Sequence, residues 1–186
     1  MTEPSLRLPD DPEPGFPPPK QPGSREPAGS FASLIKLGLS LVIVVAVSWL
    51  GQLGTMRGLV DWYPGLAKPS FTPPNIVFPI VWTGLYGLMA FSLWRLLRWP
   101  AATPGRDKAL AVLAVQLGLN VLWSWAFFAA RNPLAGLFVI LALELTILWM
   151  IVVIAAVDRT AAQAQIPYAA WVGFASLLNA AIWWLN

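Results

Sequence analysis

The chain has 186 residues, of which 57% are hydrophobic and 11% are charged, and its formal net charge is +3. Soluble domains are about 45–50% apolar and about 25% charged, so this composition places the chain in a membrane. Cysteine and histidine are both absent from the sequence, which excludes disulfide bonds, a thiol nucleophile and haem ligated by either residue. No metal site is predicted, because histidine, the commonest metal ligand, is absent. No nucleic-acid partner is predicted, because the few basic residues are scattered near the ends of apolar runs.

The first 30 residues are rich in proline, glycine, serine and acidic residues. Such a segment buries too little apolar surface to offset its chain entropy, so residues 1–30 are predicted to be a disordered tail. They do not resemble a signal peptide, because acidic residues and prolines stand where a basic and then an apolar region would be needed. Residues 31–186 are predicted to form the transmembrane domain.

Five apolar segments follow the tail, at about 33–55, 76–96, 108–129, 133–156 and 161–185. Each is near the roughly 20 residues that a helix needs to cross a bilayer. The connections after the second to fourth segments are short, so sequential helices should be antiparallel neighbours. The predicted fold class is therefore an all-α integral membrane protein with five transmembrane helices in an up-down bundle.

Basic residues predict the orientation of this bundle. The tail and the connections 97–108 and 157–160 share one side, and the opposite side has fewer cations near its helix ends. The first side has Arg25, Lys36, Arg95, Arg98, Arg106, Lys108 and Arg159; the second has Arg57, Lys68 and Arg131. The positive-inside rule then predicts a cytoplasmic N-terminus, with the loop Trp62–Phe78 on the opposite side.

Polar and aromatic residues share one face on three of the predicted helices. At helical spacing the faces are Trp82, Tyr86 and Met89 on the second helix, Gln116, Asn120, Trp123 and Phe127 on the third, and Trp171, Ala175 and Asn179 on the fifth, with Tyr168 close by. Amides are costly in a bilayer unless they face protein or a cavity. These faces are therefore predicted to line one cavity closed by the 62–78 loop. The alternative is that the amides only bond neighbouring helices, at about 0.6 kcal/mol each.

Glu144 lies in the middle of the fourth apolar segment. An acid inside a membrane span is a functional hypothesis by default. The favoured interpretation is a neutral or water-linked acid that supports helix packing or a dimer seam, because no basic residue in the other spans is an obvious partner. The alternative is an acid that carries a proton or a cation.

The loop and the helix faces together resemble a known family. The ordered pattern Trp62-Tyr63-x-x-Leu66-x-Lys68-Pro69-x-Phe71-x-Pro73-Pro74-x-x-x-Phe78-Pro79-x-x-Trp82-x-x-x-Tyr86 resembles the first loop and second helix of the tryptophan-rich sensory protein family, also called the TspO, translocator protein or peripheral-type benzodiazepine receptor family. The third helix, with Gln116-Leu117-x-x-Asn120-x-x-Trp123, and the fifth, with Ile166-Pro167-Tyr168-x-x-Trp171 and then Leu178-Asn179, are similar as well. The resemblance covers about residues 33–186.

The resemblance implies a five-helix membrane protein, often a homodimer, that binds porphyrins such as protoporphyrin IX. Some members also bind cholesterol and benzodiazepine-type drugs. No cofactor is required, and the porphyrin is the expected ligand. Carried over to this chain, the ligand-binding residues are Trp62, Phe71, Trp82, Tyr86, Gln116, Asn120, Trp123, Trp171, Ala175 and Asn179.

Three functions remain open at this stage: a porphyrin or stress sensor, a porphyrin-degrading activity, and a transporter of porphyrins or other apolar molecules such as sterols. In some bacterial members two pocket tryptophans support light- and oxygen-dependent porphyrin breakdown, and Trp82 and Trp171 match them. Only in that case would these two residues be catalytic, since no conventional nucleophile–base pair is visible. Phe71 stands where several members have tryptophan, which would weaken stacking at the loop.

Overall fold

The computed structural model describes residues 24–186, and all regular structure within this range is helical. Its elements are α1 (Phe31–Leu59), a 3₁₀ turn (Tyr63–Gly65), α2 (Val77–Leu97), α3 (Arg106–Ser124), a π-helical continuation of α3 (Trp125–Ala129), α4 (Pro133–Ala155), α5 (Arg159–Gln163) and α6 (Ile166–Leu185). Five stretches are long and apolar enough to cross a membrane: Phe31–Leu59, Val77–Leu97, Arg106–Ala129, Pro133–Ala155 and Arg159–Leu185. The predicted fold class, with five transmembrane helices, is therefore confirmed.

The helices pack around one apolar core. Helix α1 packs against α2 and α3, α4 packs between α3 and α6, and α2 also contacts α5. Large side chains such as Met89, Ile147 and Val172 are buried in this core, whereas Val42 and Val152 are exposed on the outside. Apolar side chains on both surfaces are expected of helices that have lipid on one side and protein on the other.

Helix α1 approaches the π-helical end of α3 very closely. A Cβ at Gly54 would lie 2.8 Å from Trp125, and one at Gly58 would collide with the main-chain oxygen of Phe128. Small residues four apart allow helix backbones to approach in this way within a membrane. The two glycines therefore hold α1 against the aromatic end of α3.

The fifth transmembrane stretch is broken where the sequence analysis predicts one helix. Helix α5 ends at Gln163, and α6 begins at Ile166 with Pro167 in its first turn. A proline is tolerated there because the first-turn N–H has no partner within the helix. The break is bridged by Gln165, whose amide donates to Ser92 Oγ at 2.6 Å and to the Leu88 oxygen at 3.1 Å.

Residues 24–30 make defined contacts, although the sequence analysis places them in the disordered tail. Arg25 Nη1 lies 2.7 Å from Asp158 Oδ2. The main-chain N–H of Glu26 donates to the oxygen of Arg98 at 3.0 Å, and the Glu26 carboxylate pairs with Lys36 at 2.6 Å. Charged partners on the bundle thus order this segment; the remainder of the predicted tail, residues 1–23, lies outside the described residues.

These contacts bring the N-terminal segment and the connections 98–105 and 156–158 to one side of the bundle, as the predicted up-down order requires. We call this side, with Arg25, Lys36, Arg95, Arg98 and Asp158, the basic end. The opposite side, which carries residues 60–76 and the C-terminal Asn186, is called the loop end.

Asp158 is the centre of the basic end. Its carboxylate accepts from Arg95, Trp99 and the Ala161 amide, and its side chain is 2% exposed. Burial alone would raise the pKa of this carboxyl group. The hydrogen bonds from Arg95, Ala161 and Trp99, together with the Arg95 charge, outweigh that effect and lower the pKa to about 2.

Candidate functional site

A buried hydrogen-bond network joins three transmembrane helices, α2, α3 and α6. The Tyr168 hydroxyl oxygen accepts from Gln116 Nε2 at 2.7 Å and from Asn120 Nδ2 at 2.8 Å. Tyr86 donates its own hydroxyl to Asn120 Oδ1 at 3.2 Å. The amides therefore point inward, as predicted, and they make the interhelical bonds that the sequence analysis gives as the alternative to ligand contact.

Trp82 covers this polar network. The centroid of its indole lies 5.5 Å from the Tyr86 ring, 6.3 Å from the Tyr168 ring and 6.4 Å from Trp123, against which it stacks. Trp123 stacks in turn on Phe127 at 5.8 Å. The aromatic faces of α2 and α3 thus form one continuous layer above the amides.

Asn179 ties α6 to this layer. Its Oδ1 accepts from Trp123 Nε1 at 3.2 Å, and its Nδ2 donates to the oxygen of Pro133 at 2.7 Å. A Cβ at Gly136 would lie 3.0 Å from Asn179 Oδ1, so glycine makes room for the amide. Ala175, one turn before Asn179, is buried on the same face.

The first loop lies against the aromatic end of α3 and the middle of α6. Trp62 packs edge-on against Phe127 at 5.6 Å, and Phe71 packs against Phe174 at 6.3 Å. Asn186 fastens the loop by bonding both the N–H and the oxygen of Ala67, at 2.9 and 3.0 Å. This is the position that a lid over the polar network would occupy.

Trp171 belongs to a second set of ring contacts. It lies 5.8 Å from Phe78 at the start of α2 and 5.6 Å from Phe174, which in turn contacts Phe71 of the loop. Among the ring contacts of residues 24–186, this set is separate from the set built around Trp82. The two tryptophans singled out by the family resemblance therefore share no ring partner, although both pack against the same apolar core.

Several buried polar atoms at the site have no hydrogen-bond partner within the described residues. They are Gln116 Oε1, Trp171 Nε1 and Glu144 Oε2. Glu144 is half-buried on α4 and faces α6, where a Cβ at Gly173 would lie 3.8 Å from its Oε1. Because a buried polar group without a partner is costly, these atoms mark a place where a polar ligand group or water would be stabilised.

Two cations of the loop end, Lys68 and Arg57, lie on aromatic rings, whereas Arg131 pairs with Asp61. Lys68 Nζ is 4.7 Å from the centroid of Tyr63 and donates to the oxygens of Pro64 and Leu66 at 3.3 and 3.2 Å. The Arg57 guanidinium lies 4.7 Å above Trp125. Lys68 is therefore bound to its own loop, and it would have to exchange these carbonyls to meet a ligand anion.

Most of the predicted ligand-binding residues form one connected cluster. Trp82, Tyr86, Gln116, Asn120, Trp123 and Asn179 belong to it, and Trp62 joins it through Phe127. Phe71 and Trp171 belong to the second set of ring contacts, in which both contact Phe174. Tyr168, the shared acceptor at the centre of the cluster, is not among the predicted ligand-binding residues. Its position, seven residues before Ala175 and three before Trp171, already placed it on the same helix face.

The sequence comparisons agree with this architecture. The sequence model of the TspO/MBR family matches residues 40–185. The chain belongs to the TspO/MBR family. The tryptophan-rich protein TspO of Archaeoglobus fulgidus is 40% identical over 154 residues, which cover 83% of this chain and 99% of that protein.

Two further relatives of this TspO/MBR chain carry different names. The tryptophan-rich sensory protein of Cereibacter sphaeroides is 34% identical over 141 residues, or 76% of this chain and 87% of that protein. The translocator protein of Homo sapiens is 35% identical over 130 residues, or 66% of this chain and 73% of that protein. The resemblance stated from the sequence motifs is thus confirmed, and with it an integral, multi-pass membrane protein.

Proposed function

We propose that this protein binds a tetrapyrrole such as protoporphyrin IX beneath its first loop and acts as a sensor of porphyrin or stress status. The observation that carries the proposal is the aromatic enclosure of buried polar atoms that have no partner among residues 24–186, namely Trp171 Nε1 and Gln116 Oε1. A porphyrin is a large flat π-system, and indole rings such as that of Trp82 offer rigid faces for stacking.

The polar atoms match the chemistry of a metal-free tetrapyrrole. Gln116 Oε1 can accept from a pyrrole N–H, and Trp171 Nε1 can donate to a carboxylate. Lys68 would meet a propionate at the loop end by a charge-assisted bond. Because the sequence has no histidine or cysteine, it offers neither of the two strong axial ligands considered above for haem.

Binding would require the loop to move. In the structure, the rings of Trp82 and Trp123 stack directly and the loop packs on Phe127 and Phe174. A flat ligand enters only if these contacts separate, together with the two bonds between Asn186 and Ala67 that fasten the loop. Displacement of the loop by the ligand would be the signal that a partner protein reads.

The name of the Cereibacter sphaeroides relative, tryptophan-rich sensory protein, supports this assignment. Transport is the second candidate function, because Glu144 places inside a span an acid whose Oε2 has no partner among residues 24–186, and the human relative is named translocator protein. Uptake of protoporphyrin IX into vesicles against a gradient, abolished by Glu144→Gln, would favour transport over sensing.

We further propose that the basic end faces the cytoplasm and that the protein forms a homodimer, as the family resemblance implies. The orientation rests on the basic residues near the helix ends of that side. Since the chain has no cysteine, single cysteines at Ser70 and Ala102 would report it directly. An impermeant maleimide should label Ser70→Cys but not Ala102→Cys in intact cells, and the opposite labelling would overturn the orientation. A cross-linking series in membranes would test the dimer.

The binding proposal is tested by titrating the purified protein with protoporphyrin IX in the dark and following tryptophan fluorescence. Saturable quenching is expected for the wild type and should be much weaker in Trp82→Phe/Trp171→Phe. The matched control is Trp183→Phe/Trp184→Phe, which removes two indoles that are 42% and 83% exposed at the end of α6. Equal, non-saturating quenching in all three proteins would overturn the site. Illuminating the saturated sample then separates stable binding from light-dependent breakdown of the porphyrin.

A further inference from the structure

A second groove, remote from the aromatic site, opens at the basic end. It has a volume of about 600 Å³ and lies between the N-terminal segment and the connection from α2 to α3. This volume falls within the roughly 300–1,000 Å³ of small-molecule sites. Four cationic side chains contribute to its walls: Arg25, Lys36, Arg98 and Arg106.

These cations are incompletely neutralised within the described residues. Arg25 shares the single carboxylate of Asp158 with Arg95, at 2.7 and 2.9 Å. Arg106 is 3.2 Å from Asp107, whose side chain is 83% exposed, and an ion pair so exposed to water is weak. Lys36 pairs with Glu26, which also lines the groove. Four cations against this one carboxylate leave the described walls with an excess of positive charge.

Arg98 shows this excess most clearly. Its guanidinium is buried and donates to the main-chain oxygen of Glu26, a neutral acceptor, and lies over the ring of Trp94. Burial and then the charges of Arg25 and Arg95 hold the pKa of Arg98 below its ordinary value. An anion entering the groove would relieve both the desolvation and the repulsion.

The groove continues into an apolar surface. Leu39 of α1 and Leu97 of α2 line its edge on the membrane side. A separate apolar groove runs further along α1 and includes Val42 and Ala46. Residues 39, 42 and 46 recur at i, i+3 and i+7, so they share one face of the helix. The cationic groove is thus followed along α1 by an apolar track, which residues 39, 42 and 46 form.

We propose that the basic groove binds the phosphate headgroup of an anionic phospholipid, with an acyl chain lying along α1. Arginine forks recognise phosphate oxygens by two parallel bonds. Cations beside a transmembrane helix attract anionic lipids. The apolar track favours a lipid over a free phosphate, because only a lipid gains from both parts of the surface. This site does not depend on the tetrapyrrole proposal, which concerns the opposite end of the bundle.

The test is native mass spectrometry of the full-length protein in neutral detergent, titrated with phosphatidylglycerol or phosphatidylcholine. Arg98→Gln/Arg106→Gln should weaken phosphatidylglycerol binding about thirtyfold, from two lost cations at the headgroup level. The control Lys108→Gln/Arg159→Gln removes the same charge from exposed positions at the same end, and should change binding by less than about threefold because of screening. Phosphatidylcholine binding should be weak and equal in all proteins.

Because Arg98 is buried, its replacement can disturb folding of the double variant. Arg106→Gln alone is therefore the second variant. It should weaken phosphatidylglycerol binding about fivefold, while loss of the Arg106 bond to the Leu96 oxygen should lower the thermal midpoint by no more than about 4 °C. Equal losses in the groove variant and the control would overturn the site, as would equal affinity for the two lipids. Displacement of phosphatidylglycerol by millimolar inorganic phosphate would overturn the lipid assignment in favour of a free anion.

Discussion

The basic end and the loop-covered aromatic site bury polar groups in opposite ways. At the basic end, the Asp158 carboxylate accepts from Arg25, Arg95, Trp99 and a main-chain amide, so its oxygens are bonded on every side. At the loop end, ring contacts dominate, and Trp171 Nε1 remains without a partner among the described residues.

This difference separates stability from ligand binding. A buried polar group that finds all its partners within the chain contributes to a unique packing. A buried group without a partner carries a cost that a bound ligand or an ordered water would offset. We therefore expect substitutions of Asp158 and its partners to change stability first, and substitutions in the polar network to change ligand affinity first.

The largest effect should come from breaking the ion pairs of the basic end. Asp158→Asn leaves Arg25 and Arg95 without their shared carboxylate, and the loss of one partner of a buried pair costs about 3 kcal/mol. The free energy of unfolding in mixed micelles measures this loss. Asp107→Asn is the control, because its exposed side chain should contribute no more than about 0.5 kcal/mol. Equal losses in the two variants would contradict the role of Asp158.

The stability that the Asp158 carboxylate contributes should also depend on pH. The pKa of Asp158 falls from 3.8 to about 2 on folding, so its contribution is present above the unfolded value and is lost as the pH falls through the folded value. About 2 kcal/mol of stability should disappear between about pH 4 and about pH 2. The difference between wild type and Asp158→Asn isolates this term, and a difference that is constant over that range would contradict it.

A smaller loss is expected where α1 meets α3. In Gly58→Ala the new methyl group collides with the main-chain oxygen of Phe128, and the strain, reduced by the helix propensity of alanine, should cost about 1.5 kcal/mol. Gly38→Ala is the matched control on the same helix, since nothing lies within 4 Å of its new Cβ. It should stabilise by up to about 1 kcal/mol. Changes of the same sign in both variants would show that the close approach is unimportant.

The smallest change concerns ligand affinity. Tyr168→Phe deprives Gln116 and Asn120 of their shared acceptor, so these amides should reorient in the site. Protoporphyrin IX affinity, measured in the dark, should fall about fivefold, the equivalent of one hydrogen bond. Ser176→Ala serves as the control, because its hydroxyl bonds only the Val172 oxygen of its own helix. A fivefold loss in this control as well would disconnect affinity from the network.

The sequence predicts the bundle well because a bilayer permits few solutions. Apolar runs of about 20 residues must be helices, and the predicted fourth segment, 133–156, begins at the first residue of α4. The break at residues 164–165 has a local signal, Pro167 in the first turn of α6, but the contacts of Gln165 with α2 and of Gly58 with Phe128 are made between helices. Such contacts have no local signature.

The sequence predicts which helix faces line the candidate site, but not which groups on those faces bond one another. The cost of placing Gln116 and Asn120 in lipid requires them to point inward, and they do. Which group accepts from them is set by the crossing of α3 and α6, so Tyr168 was not identified as the shared acceptor. Asp158 was treated only as part of a short connection, because its partners, Arg25 and Arg95, are 133 and 63 residues away in sequence.

The central claim, that the closed aromatic site opens for a ligand beneath the loop, is tested most directly by hydrogen–deuterium exchange in the dark, with and without protoporphyrin IX. The account predicts that exchange changes in residues 60–78 and in the facing parts of α2 and α6, while the basic end around Asp158 is unaffected. Unchanged exchange in the loop under saturating porphyrin, or a change confined to the basic end, would contradict it.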